Sequence, residues 1–251
     1  MGTTALAAPR PAGDTSRYNA YAAGALYLVT FVTSIPTLAL YEPVLHHTDF
    51  VLGVGDSASV RWGTLLEVVL AFACAGTAVA LFPVTRRYSE TAAAGFVGTR
   101  LLEAGLILVG VVTLWSIVTL RHDGGADPAA LVTAGRALVA VHDGSFLFGQ
   151  SLMPVANALL LGSVLYRYRL VPRIIPLLGL VGAPLLLASV VASVFGAYPQ
   201  GSPAAAVAAL PIALWELSLG IWLLVKGFRP DVTGPHRAPA VAAEPPSNSA
   251  R

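Results

Sequence analysis

Six apolar stretches in this chain are each long enough to cross a lipid bilayer as a helix, because about 20 mostly apolar residues span its hydrocarbon core. A backbone in lipid has to satisfy its polar groups internally, which favours α-helices over open strands. The sequence therefore predicts an all-α fold, an integral membrane bundle of six transmembrane helices. The predicted spans are Asn19–Leu40, Trp62–Phe82, Phe96–Thr119, His142–Tyr166, Ile174–Tyr198 and Ala204–Lys226.

The composition also indicates a membrane environment. Of the 251 residues, 56% are hydrophobic and 11% are charged, whereas soluble domains carry about 25% charged residues. The net charge of +2 is small and the basic residues are dispersed, so we expect the lipid bilayer as a partner and no nucleic acid. The single cysteine, Cys74, excludes an internal disulfide. Phosphate-binding motifs are absent from the sequence, and we predict no cofactor.

One helical domain is predicted over residues 17–229, between two tails. Residues 1–16 and 230–251 are rich in Ala, Pro, Gly and Ser, which is typical of disordered segments. Basic residues accumulate on the cytoplasmic side of membrane proteins. Their distribution here predicts a multi-pass protein of the cell (plasma) membrane with both termini in the cytoplasm. The flanks assigned to the cytoplasm contain Arg10, Arg17, Arg86, Arg87, Arg167, Arg169, Arg173, Lys226 and Arg229, and the opposite flanks contain Arg61, Arg121 and Arg136.

Ionisable residues interrupt four of the six predicted spans. A charged side chain at the centre of a membrane costs about 3 kcal/mol on the gentler scales, so such residues usually face the bundle interior and often mark a functional site. We therefore treat them as candidate ligand-binding or proton-handling residues. They are Glu67, Arg100, Glu103, His142, Asp143 and Glu216.

One face of the fourth predicted helix carries a row of polar residues. Asp143, Phe146, Gln150, Pro154 and Asn157 follow steps of three and four residues, which places them on one side of an α-helix. We predict that this side faces the bundle interior and adds Gln150 and Asn157 to the candidate site. Alternatively, the two amides only tie neighbouring helices together through hydrogen bonds.

Acids outnumber fixed cations within the spans. Arg100 lies one helical turn from Glu103, so the two are predicted to form an ion pair, either as part of a site or as a structural link between helices. Glu216 has no cation near it in the sequence, and we predict that it is protonated or accepts a proton. Glu67 and Asp143 lie near the outer ends of their spans, where either burial or contact with water is compatible with the sequence.

A short cluster in the first predicted outer loop contains residue types that bind zinc. Glu42, His46 and His47 lie close together and could be joined by His122 or Asp123 from the second outer loop. Their spacing matches no standard zinc motif. His46 and His47 are therefore only weak metal candidates, and we predict no metal site.

Four segments together resemble a known protein family. They read AAGALYLVTFVTSIP in the first helix, TRLLEAGLIL in the third, LYRYRLVPRIIPLLGLVGAP between the fourth and fifth, and LWELSLGIWLLVKGF in the last. In this order they resemble the bacterial six-helix membrane proteins grouped as domain of unknown function 4386, over roughly Arg17 to Phe228. The resemblance implies a membrane bundle and supports Arg100, Glu103 and Glu216 as a shared polar core. It implies no activity.

Three functions are compatible with this pattern. The first is a membrane protein whose buried polar site binds or transports a small molecule, a lipid or a proton. Such a protein could act as a monomer or as a homo-oligomer. The second is an intramembrane acid-base enzyme that acts on a lipophilic substrate such as an isoprenoid, as a cyclase or isomerase. Glu216 would supply its acid, and Glu67 or Asp143 its base. The third is a structural accessory subunit. We rank binding or transport first, because catalysis requires more coincidences.

Overall fold

The computed structural model describes residues 12–122 and 127–229 of the chain. Within these two ranges the regular structure is helical and contains no β-strand, and six helical segments are long and apolar enough to cross a membrane. The predicted all-α bundle of six membrane helices is therefore confirmed. The α-helices are α1 (Ala12–Leu40), α2 (Glu42–His46), α3 (Ser57–Thr85), α4 (Glu90–Leu120), α5 (Pro128–Phe146), α6 (Met153–Arg167), α7 (Ile174–Val194) and α8 (Pro203–Val225).

Capping side chains extend several helices beyond the apolar spans predicted from the sequence. The Asp56 side chain accepts a hydrogen bond from the amide of Ala58 at 2.8 Å, so α3 begins before the predicted Trp62. Ser89 caps α4 in the same way, through the amide of Ala92 at 3.3 Å. A polar N-cap contributes about 1 kcal/mol to helix stability. The helices therefore begin at their caps rather than at the edge of the apolar region.

The two predicted tails fall mostly outside the described residues. Residues 1–11 and 230–251 lie beyond the part of the chain that the structure describes. At the N-terminal end, α1 already begins at Ala12, so residues 12–16 of the predicted tail are helical.

The fourth span is much longer than predicted, because residues 128–167 form one continuous helical segment. Residues ahead of His142 therefore extend the span and do not form a separate surface helix, and Asp127 caps its start. Residues 147–152, between α5 and α6, form a π-helical turn. Pro154 explains this turn, since it has no N–H for the carbonyl of Gln150 and its ring would clash with that carbonyl in a regular α-helix.

The membrane helices form a closed ring around a common core. In ring order, α1 packs on α3, α3 on α4, α4 on α6, α6 on α7, α7 on α8, and α8 returns to α1. Glycines bring neighbouring helices together, as expected in lipid. A Cβ atom added at Gly24 would lie 2.6 Å from the backbone nitrogen of Leu224, and one added at Gly182 would lie 2.9 Å from Cβ of Pro211.

The two ends of the ring differ in their connections. At one end, which we call the long-loop end, the Arg121 guanidinium donates to the carbonyls of Gly53 and Gly55, both at 2.9 Å. At the other, the short-loop end, the amide of Arg229 donates to the carbonyl of Leu170 at 3.0 Å. α1 begins and α8 ends at the short-loop end. Its cytoplasmic placement stays a prediction.

Candidate functional site

The centre of the ring contains a buried arginine that two carboxylates share. Arg100 of α4 is 1% exposed. Its Nη1 donates to Oε1 and Oε2 of Glu103 at 3.1 and 3.0 Å, and its Nη2 donates to Oε1 of Glu216 on α8 at 2.6 Å. The predicted pair of Arg100 and Glu103 is therefore present, and it is extended across the ring to a third residue.

Glu216 has a cationic partner from a distant part of the chain, in agreement with the shared polar core that the family resemblance implied. The prediction of a protonated Glu216 considered only cations near it in the chain, whereas Arg100 approaches from 116 positions away. The premise that Glu216 lacks a nearby cation is therefore wrong.

Glu103 is held from three helices. The Asn157 side-chain amide of α6 donates to Oε2 of Glu103 at 2.7 Å, and Oδ1 of Asn157 accepts from the Thr99 hydroxyl at 2.6 Å. The Cys74 thiol of α3 lies 3.9 Å from Oε1 of Glu103. Asn157 therefore lies where the polar row on the fourth helix predicted. We refer to Arg100, Glu103, Asn157 and Glu216 as the Arg100 cluster.

Aromatic rings enclose the guanidinium. The Cζ atom of Arg100 lies 5.1 Å from the ring centroid of Tyr27 and 5.8 Å from that of Phe96, which is the range of cation–π attraction. Nε of Arg100 and the hydroxyl of Tyr27 are buried and make no hydrogen bond within the described part of the chain. The charge is thus stabilised by two carboxylates and two rings in an environment without bulk water.

The two acids of the cluster are not equivalent. The Glu103 side chain is 6% exposed, and both of its oxygens accept hydrogen bonds. The Glu216 side chain is 14% exposed, and only its Oε1 accepts a hydrogen bond among the described residues. With both acids ionised, the two carboxylates exceed the one guanidinium by one negative charge. The cluster therefore contains one more acid than its guanidinium can neutralise, and Glu216 is the more exposed of the two acids.

A second buried carboxylate, Glu67, lies in a different set of contacts. Glu67 is 2% exposed, so the alternative of a wetted surface acid is wrong for this residue. Its Oε2 accepts from the Tyr41 hydroxyl at 3.2 Å and its Oε1 from the Gln150 amide at 3.4 Å. Burial, together with the Glu67 carboxylate, raises the pKa of the Tyr41 hydroxyl above its ordinary value, so Tyr41 stays a proton donor.

Asp143 does not face the interior, contrary to the predicted helical face. Its side chain is 60% exposed, and Oδ1 lies 3.3 Å from Nδ1 of the buried His142. The extra residue in the π-helical turn changes the register between α5 and α6. Gln150 and Asn157 still contact the buried acids Glu67 and Glu103. On α5, however, His142 faces the interior in place of Asp143. For Asp143, the alternative of burial is therefore wrong.

The weak metal candidates remain at the long-loop end. Nε2 of His47 lies 3.3 Å from Oε1 of Glu42, and both side chains are more than half exposed. Nδ1 of His46 lies 3.3 Å from the Glu42 carbonyl oxygen, and Nδ1 of His122 lies 3.0 Å from a carbonyl of its own helix. Within residues 12–122 and 127–229, no three potential ligands form a group that could hold a metal ion. Asp123 lies outside the described residues.

Some contact residues were not predicted from the sequence. Thr99 precedes Glu103 by four residues, so its position on the same helical face was available as a signal. Tyr27 and Cys74 lie in apolar helices and carry no such signal, since aromatic and small residues there usually serve packing. Tyr41 follows the last residue of α1 and reaches Glu67 only through the tertiary fold.

Comparisons with known proteins identify a family. No curated protein and no solved structure matches the chain. A family model described as "Domain of unknown function (DUF4386)" matches residues 22–227. The matched range covers most of the chain and includes the Arg100 cluster as well as Glu67, Gln150 and His142. The chain therefore belongs to the DUF4386 family.

Proposed function

We propose that this membrane protein binds a proton at the Arg100 cluster, with Glu216 as the group that accepts it. The observation that carries this proposal is the arrangement of two carboxylates around one guanidinium. Of their four oxygens, Glu216 Oε2 is the one that accepts no hydrogen bond from the described residues. Protonation of Glu216 removes the excess negative charge. A net charge in a medium of low dielectric constant is costly, so this neutralisation favours proton binding.

The contacts support Glu216 rather than Glu103 as the acceptor. Protonation of Glu103 would weaken its charge-assisted hydrogen bonds from Arg100 and Asn157, which hold both of its oxygens. Glu216 can take the proton on Oε2 and keep the bond from Arg100 on Oε1. The Glu216 side chain is also the more exposed of the two acids, at 14% against 6% for Glu103.

A structural role is the second candidate, supported by the number of helices that Arg100 contacts. Its guanidinium lies against side chains of α1, α3 and α8 as well as its own helix. Buried charge networks of this kind can fix how helices are arranged. For the enzyme alternative no contact gives support, because Glu216 is bonded to Arg100 whereas Glu67 and Asp143 belong to other contacts.

Infrared titration of the purified chain in lipid nanodiscs tests proton binding. We expect one component of the protonated-carboxyl stretch in the wild-type protein to grow as pH falls and to be missing from Glu216→Gln. Glu90→Gln is the matched control, since it makes the same change at an exposed acid at the start of α4. It should retain this signal. An identical carboxyl signal in wild type and Glu216→Gln at every pH would contradict proton binding at Glu216 and leave the structural role.

A further inference from the structure

Glu67 is a buried acid outside the Arg100 cluster and has no arginine or lysine among its side-chain hydrogen-bond and ion-pair partners within the described residues. Its two hydrogen bonds come from neutral donors, Tyr41 and Gln150, at 3.2 and 3.4 Å. Both distances are long for a carboxylate acceptor, where charge-assisted bonds are usually about 2.7 to 2.9 Å. An ionised carboxylate this deeply buried needs a charged partner nearby, or else a proton.

The ionisable group that can supply this charge is His142. Its buried ring meets the Tyr41 ring edge-on, with centroids 5.9 Å apart, and Tyr41 in turn donates to Glu67. His142 is also close enough to Glu67 to interact with it electrostatically. From α4, the residue facing the imidazole is Gly110, which brings no charge. The titratable groups around His142 are therefore Glu67, Tyr41 and Asp143.

Asp143 connects this buried pair to the surface. Its side chain is 60% exposed and lies 3.3 Å from Nδ1 of His142, and the sequence places it near the outer end of the predicted fourth span, His142–Tyr166. On the other side of Glu67, the π-helical turn directs Gln150 toward Oε1. Such turns often occur at functional sites, because they displace one residue from the helical register.

We propose that Glu67 and His142 form a proton-binding pair, separate from the Arg100 cluster and loaded from the long-loop end through Asp143. The pair holds one exchangeable proton in two arrangements. In one, the Glu67 carboxylate faces a His142 imidazolium; in the other, a neutral carboxyl group faces a neutral imidazole. The proton is bound either by Glu67 or by His142, so the pair carries no net charge in either arrangement. The pair takes up this proton from the Asp143 side and releases it to the same side, which leaves a Glu67 carboxylate beside a neutral imidazole.

This inference does not depend on the proposed function of Glu216, since the two sites share no hydrogen bond. Titration of His142 by nitrogen NMR tests it, using the full chain with labelled histidine in nanodiscs. The His142 signal is assigned by its loss in His142→Gln. Because two interacting groups titrate in two macroscopic steps, we expect a two-step curve for wild type. In Glu67→Gln the step that depends on Glu67 should be lost, and Asp143 remains as the interacting acid.

Two further variants make the result decisive. Glu216→Gln should keep the two-step curve of His142, which separates this site from the Arg100 cluster whether or not Glu216 binds a proton. Tyr41→Phe keeps the ring against His142 but removes the hydroxyl from Glu67, so it should shift at least one of the two steps even if Glu67→Gln does not fold. A His142 curve that is the same in wild type, Glu67→Gln and Tyr41→Phe overturns the proposal.

Discussion

Nη2 of Arg100 lies 2.6 Å from Oε1 of Glu216, and this ion pair joins α4 to α8 across the interior of the ring. The same guanidinium holds Glu103 on its own helix. Arg100 therefore compensates two acids at once, and within the described residues neither acid has another cationic partner. The stability of the bundle interior should depend on this one residue more than on either acid.

Replacing Arg100 by Met should destabilise the protein strongly. The change leaves two buried carboxylates without their cation, and breaking a buried pair typically costs about 3 to 5 kcal/mol. The triple variant Arg100→Met, Glu103→Gln, Glu216→Gln should recover much of that loss, because it removes the uncompensated charges as well. Thermal unfolding in detergent measures both effects.

Arg61→Met is the control for this comparison, since Arg61 is exposed near the start of α3. It should leave the unfolding temperature nearly unchanged. Equal unfolding temperatures for wild type and Arg100→Met would show that the guanidinium is hydrated in the membrane protein, contrary to the buried ion pair described above.

Thr99→Val should weaken the Arg100 cluster without removing a charge. The Thr99 hydroxyl donates to Oδ1 of Asn157, and this contact orients the amide that donates to Glu103. Loss of one partner of a buried hydrogen bond costs about 1 to 3 kcal/mol. Thr119→Val is the matched change, because that hydroxyl is exposed and bonds only to its own helix. If Thr119→Val lowers the stability as much as Thr99→Val does, the Thr99 hydroxyl does not orient the Asn157 amide.

The helices were predictable because the apolar spans determine how often the chain crosses the membrane. The hydrophobic pattern gives the lengths and the order of the membrane helices but contains no information on their caps. The helices α3 and α4 therefore begin next to their caps, Asp56 and Ser89, ahead of the predicted first residues. The pairing of Arg100 with Glu103 was also predictable, since residues three apart lie on the same face of a helix.

Contacts between distant helices could not be obtained from spacing alone. Glu216 and Arg100 meet only because α4 and α8 face each other across the ring. For Asp143 the error had a local cause. The shared face was predicted from the residue spacing of a regular α-helix, and this spacing does not hold across the π-helical turn before Pro154. The residues on the N-terminal side of Pro154 are therefore rotated relative to those that follow, whereas α1, α7 and α8 continue through Pro36, Pro184 and Pro211.

The orientation in the membrane can be determined by cysteine labelling in cells. In a Cys74→Ala background, His47→Cys places a thiol in the exposed long-loop end, and Arg87→Cys places one in the exposed turn at the short-loop end. The distribution of basic residues predicts that the short-loop end is cytoplasmic. An impermeant maleimide should therefore label the cysteine at 47 and spare the one at 87 until the cells are opened. The reverse pattern would place both chain termini outside.

The last prediction concerns the contact between α1 and α8, which brings Tyr27 and Glu216 toward the same guanidinium. Gly24→Ala should force these helices apart, because the added Cβ would lie 2.6 Å from the Leu224 nitrogen, and a backbone atom cannot move aside as a side chain can. Gly98→Ala is the matched control on α4, where a Cβ meets nothing within 4 Å.

In a helix, alanine is favoured over glycine by about 1 kcal/mol. Gly98→Ala should therefore unfold at the wild-type temperature or slightly above it, whereas Gly24→Ala should unfold below it despite the same gain in helix propensity. Because α8 then retreats from α1, Gly24→Ala should also alter the infrared carboxyl signal assigned to Glu216, and Gly98→Ala should not. If both alanine variants raise the unfolding temperature, α1 and α8 do not approach each other this closely in the membrane.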